Sequence, residues 1–296
     1  MTVGFIGLGA IGRPIAEHVA AHTDSVVFDI REDALAPFRG RAGLALSPAD
    51  VAARSDVVIG CLSTLDAYRS AIMEQQGIFG GRAKIYVHIG TTGSDLAHEL
   101  EAALATHGIA MVDAPITGGV PRAKEGTLTT MVSGRRDVVD QVMPVLLSYS
   151  SRVVHVGDKV GAAQTMKVIN NMLSAANLAI AAEGLVLGVK AGLDPDTMLE
   201  VINAGTGQNS ATLTKVPNHI LTRGFDYGGS MAITIKDLSA FMHEAETLAF
   251  ETPLGAMVQR AYQAADRGMP GQDMTEVIQP MERRAGVAVT GGGRSG

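Results

Sequence analysis

Val3-Gly4-Phe5-Ile6-Gly7-Leu8-Gly9-Ala10-Ile11-Gly12 decides the fold: an apolar run with strand character, three glycines spaced G-x-G-x-x-G, and a helical pattern from Ile11 onward. Each glycine answers a separate demand. Gly7 permits the tight turn out of the strand, Gly9 lets the backbone approach a pyrophosphate, and Gly12 allows the helix to pack closely on the strand. The helix N-terminus would then offer N–H donors to the phosphates. A second apolar run, Ser25–Asp29, ends in an acidic side chain twenty-two residues beyond Gly7. Such a carboxylate can accept both hydroxyls of an adenosine ribose. Gly7, Leu8, Gly9, Ala10, Ile11, Gly12 and Asp29 are therefore the expected dinucleotide contacts. Asp29 repels a 2′-phosphate while nearby Arg31 could partner one, and this charge logic favours NAD over NADP.

Outward from that stretch, short apolar runs recur at Lys84–Ile89, Asp56–Cys61, Ile109–Asp113, Thr129–Ser133 and Arg152–Val156. Between them, Pro48–Arg54, Ser94–Thr106 and Asp137–Leu147 read as helices. Strand and helix in alternation imply right-handed crossovers and a doubly wound, mainly parallel sheet. The character changes near residue 157. Val160–Lys190 reads as one long helix stopped by Ala191-Gly192, and Asp194-Pro195 opens another. Helical patterns follow at Asp196–Asn203, Asp237–Ala249, Pro253–Arg267 and Met274–Arg283. The expected organisation is an α/β domain over 1–157, an all-α domain over 158–288 and a flexible tail over 289–296.

Composition excludes several classes. The 296 residues are 46% hydrophobic and 18% charged, which suits a folded core rather than disorder. Lys+Arg 24 against Asp+Glu 30 leaves a formal charge of −6, so no diffuse positive field awaits nucleic acid or anionic lipid. The start lacks a basic leader, and the longest apolar stretch, Met172–Val189, carries Asn177 and Glu183. A buried soluble helix is expected there, with no membrane partner. The single cysteine, Cys61, cannot form an internal disulfide, which fits a reducing cytoplasm. No metal-ligand spacing occurs, and no metal is expected.

Two further segments carry chemistry. Asp113-Ala114-Pro115-Ile116-Thr117-Gly118-Gly119 follows a strand at the sheet edge where ligands of doubly wound folds bind. The Thr117 hydroxyl and the N–H groups of Gly118 and Gly119 could form a carboxylate-sized nest, and Arg122, read as a loop residue, could reach the same place. On the long helix, Gln164, Lys167, Asn171 and Ser174 share one face among apolar neighbours. A covered lysine there would lose solvation and come toward the range useful for proton transfer. Asp273-Met274-Thr275-Glu276 reads as a helix cap with its capping box.

GFIGLGAIG, DAPITGG, GTLTTMVSG, KVINN, KDL and GMPGQDMTEV, in this order over nearly the whole chain, resemble the β-hydroxyacid dehydrogenases. The resemblance implies a Rossmann-like domain, a helical domain making homodimer or homotetramer contacts, and NAD or NADP. It also implies interconversion of a small 3-hydroxy acid and its semialdehyde or keto acid. The lysine of the family's K-x-x-x-N falls on Lys167 as catalytic acid/base, with Asn171 orienting the substrate. The carboxylate anchor becomes Thr117, Gly118 and Gly119. Lys236 is implied beside the nicotinamide, and Cys61, Leu62, Ser63 and Thr91 line the cofactor. Thr117 stands where the family usually has Ser, Pro121-Arg122 where it often has small residues, and His88 and Gly90 where Asp and Ser are common. An imine reductase or a non-catalytic scaffold would share the fold. Lys167 and Asn171 together argue against the scaffold, and Lys167, where an imine reductase is expected to lack the lysine, argues against the reductase.

Overall fold

The computed structural model describes residues 1–292, in two compact units that divide at Lys167/Val168, inside a helix. The first unit holds nine strands: β1 Val3–Ile6, β2 Ser25–Phe28, β3 Gly43–Leu44, β4 Val57–Gly60, β5 Ile85–His88, β6 Ala110–Asp113, β7 Ile116–Thr117, β8 Leu128–Ser133 and β9 Ser150–Gly157. They lie in the order β3-β2-β1-β4-β5-β6-β8-β7, with β9 paired to β8. From β3 to β6 every pairing is parallel; β8 runs antiparallel to β6 and β7 and parallel to β9.

The strands are apolar on both faces because both faces are covered. Period-2 alternation sends Val3, Phe5, Ile59, Val87 and Val112 to a layer completed by Ile15 and Val19 of helix Gly12–His22 and by Val139 and Val142 of helix Arg136–Leu147. The alternate residues Val58, Tyr86 and Met111 meet Val51, Leu100 and Leu104 on the other side. Sheet order reverses beside β1, between β4 and β2, which puts the glycine turn at the switch point where such folds bind ligands.

The second unit is helical; among its described residues, pairing outside helices is limited to an isolated bridge between Ser230 and Asp273. Helix Ala162–Lys190 crosses from the first unit and ends as expected. Gly192 adopts φ 86°, Gly192 N donates to Val189 O and Leu193 N to Gly188 O, a Schellman stop. Asp194 then caps helix Pro195–Ala204 through the Thr197 amide at 2.8 Å. Leu178, Ala182 and Leu185 of the long helix pack with Val216, Leu238, Tyr262 and Ile278. Long and apolar enough by composition to cross a membrane, this helix buries one face in the helical unit and leaves part of its apolar surface uncovered. Ile169, Leu173, Ile180 and Leu187 stay exposed.

Several expectations need correction. β3 and β7 have two residues each, too few to show a period, and helices Leu65–Met73 and Gly119–Glu125 and the π-helix Ala211–Ile220 were not foreseen. Arg122 consequently lies on a short helix, not in a loop. The expected helix Met274–Arg283 divides into a 3₁₀ turn, Met274–Ile278, and helix Gln279–Ala285. Its Asp273/Glu276 capping box is formed. The tail is tied down over its described part: Val289 is buried, Gly291 N donates to Leu221 O and Gly292 N to Asp196 Oδ2. Residues 293–296 lie outside the described residues.

Candidate active site

The glycine turn behaves as its spacing demands. A Cβ on Gly7, whose φ is 98°, would stand 2.2 Å from Cys61 O, and one on Gly12 would stand 2.1 Å from Gly7 O. Gly9 differs, because a Cβ there would meet nothing within 4 Å. Two glycines are thus required by the protein's own packing, while the third fronts open space, a cradle into which a pyrophosphate fits. Asp29, at the end of β2, closes the far side. Its Oδ2 accepts from Leu8 N at 2.7 Å and its Oδ1 from Arg31 N at 2.9 Å. Arg31 folds back on the same carboxylate, with Nε at 3.3 Å, and its Nη2 donates to Leu8 O. Arg31 is therefore partnered in place rather than extended to meet a phosphate. Ala10 and Ile11 carry the turn into helix Gly12–His22, whose first turn holds no acidic residue to compete with an anion.

The wall beyond β4 is bonded in place. Leu62 N donates to the Tyr68 hydroxyl at 2.9 Å, Cys61 packs under the turn, and Ser63 is exposed. Burial pushes the Cys61 thiol up to about 12, so this cysteine is no nucleophile at neutral pH. Gly90 is explained by the same tyrosine, whose hydroxyl would lie 2.0 Å from a Cβ. His88 is fully buried, bonds Thr92 Oγ1 at 2.9 Å, and is pulled down to about 3 by desolvation.

Gln164 organises the ends of β5 and β6. Fully buried, it donates from Nε2 to Asp113 Oδ1 at 2.7 Å and to Gly90 O at 2.9 Å, and its Oε1 accepts from Thr92 N and Gly93 N. Its own amide donates to Asp113 Oδ2. Burial raises the Asp113 carboxyl to about 7. These bonds fix the first turn of helix Ala162–Lys190, and three residues on stands Lys167, only 8% exposed. Thr91 sits in the segment so held. Thr117 ends β7, and Gly118 and Gly119 follow with φ 133° and 70°, conformations that favour glycine. Arg122 is exposed, and its aliphatic stem covers Gly118, where a Cβ would be 2.8 Å from Arg122 Cδ.

In the second unit, Asn171 Nδ2 donates to Asp237 Oδ2 at 2.7 Å, and Lys236 Nζ lies 3.1 Å from Asp237 Oδ1. Asp237 thereby joins two expected site residues, a link no spacing revealed although the carboxylate stands next to Lys236. One turn beyond Asn171, Ser174 Oγ accepts from Lys215 Nζ at 2.9 Å. Lys215 carried no signal in the sequence.

Residues 2–157 match the family model for the NAD-binding domain of 6-phosphogluconate dehydrogenase, and residues 161–281 the one described as NAD-binding of NADP-dependent 3-hydroxyisobutyrate dehydrogenase. The 2-(hydroxymethyl)glutarate dehydrogenase of Eubacterium barkeri is 32% identical over 295 residues, 98% of each chain. The L-threonate dehydrogenase of Cupriavidus necator is 30% identical, covering 93% of this chain and 94% of that one. Among solved structures, the 3-hydroxyisobutyrate dehydrogenase of Mycobacterium tuberculosis with L-serine superposes with a TM-score of 0.85 at 28% identity, covering 95% of this chain and 98% of that one. A Streptomyces aurantiacus imine reductase, 17% identical with a TM-score of 0.62 over 95% of this chain and 99% of that one, shares the fold alone. Both segments and the full-length likeness agree: the chain belongs to the β-hydroxyacid dehydrogenase family, a family of NAD(P)-dependent oxidoreductases.

Proposed function

We propose that this chain interconverts a small 3-hydroxy acid and its semialdehyde or keto acid, with Lys167 exchanging the hydroxyl proton. The observation that carries the reading is a lysine 8% exposed, set one turn after a glutamine that ties the long helix to the ends of β5 and β6. Bound NAD(P) supplies a nicotinamide carbon that accepts or returns the hydride. Thr117, Gly118 and Gly119 hold the substrate carboxylate through a hydroxyl and backbone N–H groups. Asn171 orients the reacting oxygen and is itself held by Asp237, which also steadies Lys236 beside the cofactor. One fixed anchor and one proton-transfer group together set the reacting carbon in place.

NAD is the preferred form in this reading. The Asp29 carboxylate, with Arg31 bonded to it, would accept ribose hydroxyls and oppose a 2′-phosphate. The exposed Ile169, Leu173, Ile180 and Leu187, at helical spacing, support assembly as a homodimer or homotetramer, and Cys61 without a disulfide partner fits a cytoplasmic protein. Cofactor consumption across a panel of 3-hydroxy acids and their semialdehydes, with each cofactor, tests all of this at once. Turnover of at least one acid, with the higher kcat/KM for NAD(H), is expected. No turnover of any member would sink the reading, and equal or better turnover with NADP(H) would sink the cofactor preference.

A further inference from the structure

Lys215 is 4% exposed, on a π-helix, a form that in proteins is rare and recurrently functional. Its partners are the Ser174 hydroxyl at 2.9 Å and the face of Tyr227 at 5.1 Å from the ring centroid. Neither carries a formal negative charge. Asp226, next to Tyr227 in the chain, is taken by His219 at 2.6 Å and leans into solvent with its side chain 71% exposed. A buried ammonium without a carboxylate partner among the described residues is an arrangement proteins avoid unless something supplies the missing charge. Burial lowers its basicity.

Ser174 lies three residues after Asn171, one turn further along the same helix face. Resting on the reading that Asn171 orients a hydroxy acid, we propose that Lys215 and Ser174 receive a second carboxylate, on an arm branching from the substrate carbon between its anchored carboxylate and its hydroxyl-bearing carbon. An arm of two methylenes ending in a carboxylate spans about 5 Å, the pitch of one helical turn. The substrate class is thus a 3-hydroxy dicarboxylate. Arg122, the cation next to the proposed carboxylate anchor, is exposed and its stem lies along Gly118.

A matched pair tests it: 2-(hydroxymethyl)glutarate and 3-hydroxyisobutyrate share the reacting half and differ in the arm. Wild-type enzyme should prefer the dicarboxylate, and Lys215→Met should lower the ratio of the two kcat/KM values about 100-fold, as expected for loss of a buried charge pair. Ser174→Ala should lower it about fivefold, the worth of one hydrogen bond, and Lys215→Arg should restore part of it. Independently of turnover, glutarate should raise the melting temperature of wild-type protein and not of Lys215→Met, which also reports whether the variant is folded. A wild type that turns over 3-hydroxyisobutyrate but not the dicarboxylate overturns this inference and leaves the proposed reaction standing. The same holds if Arg122→Ala, not Lys215→Met, collapses the ratio. Failure of every hydroxy acid together with glutarate stabilisation intact would overturn the reaction and keep the anion site.

Discussion

The glycine-rich strand ends and the polar face of the long helix solve recognition in opposite ways. At the strand ends the groups proposed to bind are backbone N–H donors, and residues such as Gly7, Gly12 and Gly90 are glycine because neighbouring atoms leave no room for a Cβ. Along the helix the groups proposed to bind are side chains, and Gln164, Asn171 and Ser174 are held by residues from other elements: Asp113, Asp237 and Lys215. A backbone site is welded to the fold, whereas a side-chain site can be altered while the fold stays. Substitutions should therefore cost stability in the first region and kinetics in the second.

The largest effect expected is from Lys167→Met. General acid–base catalysis is typically worth about 10²–10⁴-fold, so kcat should fall by at least that range's lower end while NADH affinity, measured by fluorescence titration, stays close to wild type. Retention of more than a tenth of kcat would move proton transfer elsewhere, with Lys236 next in line.

Within the glycine turn the comparison can be broken internally. Gly12→Ala places a methyl 2.1 Å from a backbone oxygen and should cost about 1–3 kcal/mol in urea denaturation, through forced backbone shifts. Gly9→Ala meets no atom within 4 Å and should leave stability unchanged within about 0.5 kcal/mol while weakening NADH binding, since the methyl fills the phosphate cradle. Equal destabilisation by both would deny that Gly9 is kept for a ligand.

These two substitutions also show why one region was legible and the other was not. The demands on Gly7, Gly9 and Gly12 are local, made by a turn and its adjacent helix, so ten consecutive residues reveal them. Strand runs such as Val57–Gly60 and the helix stop at Gly192 are legible for the same reason. Asp237 meets Asn171 across 66 residues and Lys215 meets Ser174 across 41, and no periodicity encodes such meetings. The proton-transfer role proposed for Lys167 rests on its place on a covered helix face, which spacing shows, and on the family resemblance, which singles it out. Arg122 was misread as a loop residue because Gly118-Gly119 looked like a turn, whereas Gly118 caps a seven-residue helix.

A smaller effect lies in the buried titrating pair behind the helix start. Asp113, raised to about 7, holds its proton in the folded state while the unfolded chain releases it near 3.8, so between these values stability falls as pH rises. His88, lowered to about 3, stays neutral while the unfolded chain takes a proton below 6.5, so between 6.5 and 3 stability falls as pH drops. Where the windows overlap the two slopes oppose, each about 1.4 kcal/mol per pH unit. Asp113→Asn removes one of them. Urea midpoints of that variant should drop more steeply than those of wild type from pH 6.5 toward 4, and parallel curves would show that Asp113 does not hold a proton in the folded state.

The smallest effect tests whether an exposed cation near the backbone anchor does what a buried one on the helix side does. Arg122 sits on the short helix after Gly119 with its stem across Gly118 and its guanidinium in solvent, where an ion pair gains at most about 1 kcal/mol because water screens it. Arg122→Ala should therefore change kcat/KM by less than about fivefold, and by the same factor for 3-hydroxyisobutyrate and for 2-(hydroxymethyl)glutarate, as a substitution acting through the shared carboxylate anchor must. The residual effect should shrink further in 0.5 M salt, where the screening length is shorter. A loss confined to the dicarboxylate would instead make Arg122 the reader of the second charge, and the division between a backbone anchor and a side-chain specificity face would no longer hold.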